Sequence, residues 1–190
     1  QEHFPQMKGK VIEADFLKAD LVDLMGTEPF AVVGNFPYNI SSQILFKCLE
    51  HRNQVPEIMG MFQKEVAERI AEPPGSKRYG ILSVLLQAYY DIEYCFTVDA
   101  SAFNPPPKVQ SGVIRCIRNK RQSLPCDEKL FKTIIKMSFG QRRKTIRNSI
   151  KSLIKDKGLE SDLLALRPET LSVDQFVELT NLVASVNETP

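Results

Sequence analysis

Four consecutive residues, Asn35-Phe36-Pro37-Tyr38, are of types and spacing that suit methylation of an exocyclic amine. An adenine N6 is a poor nucleophile because its lone pair is delocalised into the ring. The Asn35 side-chain carbonyl and the Phe36 backbone carbonyl can accept its two hydrogens and localise that pair. Pro37 has no N–H and a fixed φ, which holds the turn. Tyr38 offers a flat face on which a base taken out of its helix can stack. Taken alone, N-x-P-Y is equally an ordinary strand-ending turn, since Asn and Pro are common turn residues.

The elements that must position this tetrapeptide are short. The apolar run Phe30-Ala31-Val32-Val33, ended by Gly34, predicts a strand buried on both faces of a parallel sheet. The tetrapeptide then lies at the carboxyl end of that strand, where open α/β sheets place their ligands. Ser41 or Ser42 is expected to cap a helix over residues 43–51. Upstream, residues 1–6 read as the tail of a surface helix, residues 10–14 as a short strand closing on Asp15, and residues 17–25 as one or two helical turns.

Downstream, residues 58–62 predict a buried strand, with Met59, Met61 and Phe62 as core. Residues 64–71 form a helix stopped by Pro73-Pro74-Gly75, and 81–90, apolar nearly all round, a buried helix. Residues 92–98 and 113–117 alternate and suggest antiparallel neighbours. Strand and helix at these intervals imply a parallel α/β sheet with a late hairpin-like edge. From Asp127 onward only helical patterns remain, over 130–139, 145–155 and 173–186, the last opened by a Ser172/Gln175 capping box. The division expected is residues 1–122 as the α/β part and 123–190 as a small all-helical part.

Composition adds bounds. The chain has 190 residues, 43% hydrophobic and 25% charged, the mixture of an ordinary globular protein. The net charge of +2 is uninformative, but its distribution is not. Residues 129–157 hold ten Lys/Arg against one acid, and residues 158–190 one Arg against six acids. Unbalanced positive charge repels itself unless a polyanion is present, which favours phosphate contact by Arg142, Arg143, Lys144 and Arg147, at spacings that put several on one helix face together with Lys151. A solvated helix surface is the plainer reading of the same residues. Cys48, Cys95, Cys116 and Cys126 show no C-x-x-C spacing and His3 and His51 lie apart from them, so a metal site is not expected. No apolar run approaches the roughly 20 residues that span a bilayer. A cytoplasmic protein with reduced thiols is expected.

Five segments in order resemble the ribosomal RNA adenine N6-dimethyltransferases, of the bacterial small-subunit (kasugamycin-resistance) type. They are Asn35-Phe36-Pro37-Tyr38-Asn39-Ile40-Ser41-Ser42, Gln63-Lys64-Glu65-Val66-Ala67-Glu68-Arg69, and Gly75-Ser76-Lys77 with Tyr79-Gly80-Ile81-Leu82-Ser83-Val84. Phe103-Asn104-Pro105-Pro106-Pro107-Lys108-Val109 and Phe139-Gly140-Gln141-Arg142-Arg143-Lys144 with Arg147-Asn148 complete the set. The resemblance implies a Rossmann-like class I methyltransferase sheet plus a helical RNA-binding part, acting on 16S rRNA in the small ribosomal subunit or its precursor. It implies S-adenosylmethionine (SAM) as methyl donor, dimethylation of two adjacent adenines in the 3′-terminal hairpin, and a monomer.

Residue by residue, the resemblance assigns Asn35 and the Phe36 carbonyl to the target N6, and Tyr38 and Phe103 to the two faces of the base. Asp15 and Asn35 fall toward SAM, and Lys108 toward RNA with the basic residues above. Phe36 stands where Leu is commoner, a change the backbone carbonyl does not feel. A larger departure is that no G-x-G occurs. In the family the glycine-rich loop and a ribose-holding acid lie on segments that would precede Gln1, so this chain alone is expected to bind SAM weakly and to be inactive. Macrolide-resistance-type 23S rRNA methyltransferases share N-x-P-Y and the Phe-rich loop. A non-catalytic RNA-binding assembly factor on the same fold is the alternative of another class.

Overall fold

The computed structural model describes residues 4–154 and 158–188. Four strands form one mixed sheet in the order β1-β2-β4-β3, with β1 at Val32–Asn35, β2 at Glu57–Gln63, β3 at Tyr90–Val98 and β4 at Ser111–Arg118. Only β1 and β2 are parallel, with Gly34 opposite Gly60. β4 runs antiparallel to both β2 and β3, so the 92–98 and 113–117 segments are indeed antiparallel neighbours. A register shift between Tyr94 and Phe96 leaves Cys95 as a bulge in β3.

Parallel strands need a crossover. It is supplied by α2 (Ser41–Glu50), which follows the short α1 (Leu21–Met25) and buries Ile44, Leu45, Cys48 and Leu49 along one face. Neither Ser41 nor Ser42 caps α2: Ile40 takes the N-cap position and makes no side-chain bond there, while Ser41 is already helical. α3 spans Lys64–Ala71, as its pattern predicts, and buries Ala67 and Ile70. α4 spans Ile81–Gln87 and is buried from Leu82 to Leu86. It stops three residues short of the expected end because Tyr90 opens β3.

β1 departs from its expected burial. Val32 is buried but Val33 is 71% exposed, because among the described residues only one face of β1 is covered and only β2 pairs with it. Residues 11–15 have no regular structure, are exposed and pair with no strand, so the predicted strand over 10–14 does not form. Near the start, Pro5–Met7 form a single 3₁₀ turn; the surface helix expected over residues 1–6 lies partly outside the described residues. In β2, Ile58, Gly60 and Phe62 are buried in alternation while Met59 and Met61 are half-buried on the opposite face, so of the three residues expected in the core only Phe62 is there.

The helical layer begins with α5 (Glu128–Gly140), whose N-cap Asp127 accepts from the Lys129 and Leu130 amides at 2.7 and 2.9 Å. The predicted helix over 145–155, whose last residue lies outside the described residues, is broken at Ile150 into two short turns, α6 (Ile146–Ser149) and α7 (Lys151–Ile154). The Ser172/Gln175 box opens α8 (Val173–Glu188), each side chain bonding the other's backbone N–H at 3.2 and 2.9 Å. A continuous apolar core joins sheet and helices. The seam between them is also stapled by charge. Arg52 meets the Glu128 carboxylate through two hydrogen bonds of 2.8 and 3.0 Å and lies 4.2 Å from the Tyr89 ring centroid.

Candidate active site

Two separate stretches converge at the carboxyl end of β1. Asn35, Phe36, Pro37 and Tyr38, turning off the strand, and Phe103, Pro105 and Pro107, from the connection between β3 and β4, line one open cavity of about 360 Å³. The predicted pair of aromatic groups, Tyr38 and Phe103, therefore faces a common space from residues 65 positions apart in sequence.

Each lining residue is held in a different way. Phe36 turns its ring inward, buried to 8% exposure, and packs edge-on against Phe62 at 5.3 Å between centroids. The ring lies over the paired glycines of β1 and β2: a Cβ on Gly34 would come within 2.8 Å of it, and one on Gly60 within 2.3 Å. Two side chains are missing so that one ring can fit. Asn35 and Pro37 on either side of it are exposed.

Tyr38 is half-buried and fixed at two points. Its carbonyl accepts a hydrogen bond from Ser41 Oγ at 3.1 Å, and its hydroxyl is 2.5 Å from Ser111 Oγ, the first residue of β4. The loop carrying Phe103 is tied down at its root. Asp99 accepts from the Ser101 amide at 3.0 Å and from Gln110 Nε2 at 3.2 Å, and Gln110 Oε1 accepts from Lys64 Nζ at 2.9 Å. The Ser101 amide, followed by the Gln110 and Ser101 side chains, holds the Asp99 carboxyl below its ordinary value. The Asn104–Pro105 peptide in this loop is cis. Ser111, Asp99 and Gln110 escaped the sequence reading, and Lys64 entered it only within a matching segment, with no role. Only the D-x-S pattern at Asp99 and Ser101 carries a local signal, that of an Asx turn.

Other predicted residues lie elsewhere. Asp15 does not line the cavity; it accepts from the Leu17 amide at 3.0 Å and lies 3.7 Å from Lys18, exposed. Lys108 is exposed on the Phe103 loop. Arg142, Arg143 and Lys144 do not share a helix face, because residues 141–144 form a turn between α5 and α6. With Phe139, Gly140 and Gln141 they line a second open cavity of about 330 Å³. Arg142 is partly spent inside the molecule, donating to Ser76 O at 3.3 Å and lying 3.9 Å from Glu169. Arg147 reaches Leu159 O at 3.4 Å. Arg143 and Lys144 are exposed, and no ion pair or side-chain hydrogen bond engages either among the described residues.

No group of three or more His, Cys, Asp or Glu side chains is placed to hold a metal ion among the described residues, and no described helix is long and apolar enough to cross a membrane.

A mixed α/β sheet with N-x-P-Y leaving one strand and an aromatic loop facing it defines a methyltransferase of the Rossmann-like class. The solved structures it superimposes on agree in fold: a dimethyladenosine transferase from Plasmodium falciparum (TM-score 0.75, 23% identity, 93% of this chain and 73% of that one) and the 23S rRNA methyltransferase ErmE (TM-score 0.63, 24% identity, 95% and 77%). The family model for ribosomal RNA adenine dimethylase matches residues 1–184, and the chain belongs to that family. Its relatives include proteins named ribosomal RNA small subunit methyltransferase A, from Cytophaga hutchinsonii (57% identical, 95% of this chain and 70% of the relative) and Parabacteroides distasonis (59%, 94% and 68%).

Proposed function

We propose that the protein dimethylates N6 of two adjacent adenines in the 3′-terminal hairpin of 16S rRNA during small-subunit biogenesis, with SAM as the donor. The observation that carries this reading is the single cavity shared by Asn35, Phe36, Tyr38 and Phe103. The extruded adenine stacks between Tyr38 and Phe103. In the first transfer its two N6 hydrogens are donated in hydrogen bonds to the Asn35 side-chain oxygen and the Phe36 carbonyl, and in the second the one remaining N–H is donated to one of these acceptors. As the amine becomes tetrahedral, those two acceptors gain more than they did in the ground state, which is where rate enhancement comes from. The proximity of relatives named for the small subunit supports 16S over 23S rRNA as substrate.

SAM, when bound, supplies the electrophilic methyl group. Asn35 at the strand end and the exposed Asp15 carboxylate are suited to its polar edges, since Asp15 has only a backbone amide and a solvent-facing lysine to give up. Arg143, Lys144 and Lys108, together with Arg142 and Arg147, serve the RNA backbone: point charges on exposed surface fit phosphate better than base edges.

The test is tritium transfer from labelled SAM to unmethylated small subunits by the full-length protein, with modified positions mapped by reverse-transcription stops. Label at two neighbouring adenines near the 3′ end of 16S rRNA is expected, and its loss in Asn35→Ala. Label confined to 23S rRNA, or RNA binding with no transfer, overturns the reading in favour of a macrolide-resistance-type enzyme or a non-catalytic assembly factor.

A further inference from the structure

We infer that Ser111 is a positioning residue, acting through Tyr38 to hold one face of the base cavity square to the other; this rests on the reading of that cavity as an adenine site. Ser111 is fully buried, yet its hydroxyl has one partner, the Tyr38 phenol at 2.5 Å. A buried hydroxyl left alone is costly, so the two groups hold one another. Ser111 is also well placed to transmit rigidity. It opens the central strand β4 and is paired in register with Gln63 of β2 on one side and Val98 of β3 on the other.

The same residue closes the loop that carries Phe103. That loop leaves the sheet after Val98 and returns to it at Ser111, and these two residues are opposite one another in the β3–β4 ladder. Tyr38 is thus bonded to the point where the Phe103 loop rejoins the sheet. At its other end, the Tyr38 carbonyl is held by Ser41 Oγ, on a side chain only 1% exposed in the first turn of α2. Two buried serines from different elements fix the backbone and the ring of one tyrosine. Stacking itself needs only the ring face, to which the hydroxyl does not contribute. The hydroxyl serves orientation, so that N6 meets Asn35 and the Phe36 carbonyl at the distance the reaction needs.

The test is a double-mutant cycle of Ser111→Ala and Tyr38→Phe in the full-length protein, each variant checked for its melting temperature. Two readouts are taken: kcat and KM for methyl transfer, and quenching of 2-aminopurine placed at the target adenine of a hairpin RNA. Each single change should lower kcat roughly five- to tenfold, the loss of one net hydrogen bond, with KM within about twofold. The double variant should be no worse than either single one, because both remove the same bond. Wild-type kcat in Ser111→Ala, or additive losses, would overturn the positioning role. If Ser111→Ala does not fold, Tyr38→Phe decides alone, and wild-type kcat there overturns it. Tyr38→Ala and Phe103→Ala separate the two levels of inference. If they abolish quenching while Ser111→Ala and Tyr38→Phe behave as wild type, the adenine site stands and only this inference falls. If neither Ala variant alters the quenching, both fall.

Discussion

The base cavity and the basic turn at residues 141–144 are built on opposite principles. In the cavity the aromatic groups are tied to the fold: Phe36 by a glycine pair, Tyr38 by two buried serines, the Phe103 loop by the Asp99–Gln110–Lys64 chain. In the basic turn, Arg143 and Lys144 stand exposed with no such support among the described residues. The contrast follows from what each must recognise. A reacting amine must be held to within a fraction of an ångström. A phosphate chain asks only for positive charge within reach, since its contribution is counter-ion release. Geometry is anchored to the sheet, and charge is left on a turn.

The largest expected effect breaks the cavity alone. Asn35→Ala should cut kcat by roughly 10²–10³, the scale set by removing one polar group that stabilises a transition state, while the dissociation constant for hairpin RNA stays within about twofold. A matching fall in RNA affinity would mean that the two regions are not separable in this way.

The converse variant breaks the turn alone. Arg143→Glu with Lys144→Glu should weaken RNA binding by roughly ten- to a hundredfold at moderate salt, for any sequence, and flatten the log–log salt dependence by up to about 0.7–0.9 per lost contact. Measured at saturating RNA, kcat should hold. Arg142 is expected to behave differently from its neighbours because Ser76 and Glu169 already engage it: Arg142→Ala should lower the melting temperature as well as the affinity.

A change in β2 reaches the cavity without touching it. Gly60→Ala would place a methyl 2.3 Å from the Phe36 ring, in a region buried against Phe62. Overpacking of this kind costs about 1–3 kcal/mol of stability. Because the ring and the carbonyl belong to one residue, kcat should fall with it, by roughly tenfold. A variant as stable and as active as the wild type would show that the glycine pair is not what seats Phe36.

N-x-P-Y and the Phe-rich loop were legible in the sequence because both are compact local signals, and α3 was legible from its period and its Pro-Pro-Gly stop. The exposed face of β1 was not, because an apolar run does not reveal whether a neighbour covers both its sides. The broken helix after Thr145 was missed since apolar spacing persists through α6 and α7 although the backbone does not. Ser41 was seen as a helix cap and Ser111 not at all. Each acts on Tyr38, and for Ser111 the partner is 73 residues away, a pairing that periodicity and turn chemistry cannot express.

The smallest effect tests the root of the Phe103 loop. Gln110→Ala removes the bridge between Asp99 and Lys64, two hydrogen bonds on exposed groups. Water competes for each of them, so little global stability is at stake and the melting temperature should move by no more than about a degree. Loop order is more sensitive, because few other described contacts hold residues 99–110. Here kcat should fall about two- to fivefold, with 2-aminopurine quenching reduced in proportion. The pH profile sharpens this. The Asp99 carboxyl is held below its ordinary value of 3.8, so the contacts that need it charged are complete above that value and lost only as pH falls through the lower folded one. Between roughly pH 6 and 9 the loop should therefore add no inflection to kcat, in either the wild type or Gln110→Ala. An inflection in that range that the variant removes would mean that another titrating group, not the Asp99 carboxylate, sets the order of the loop.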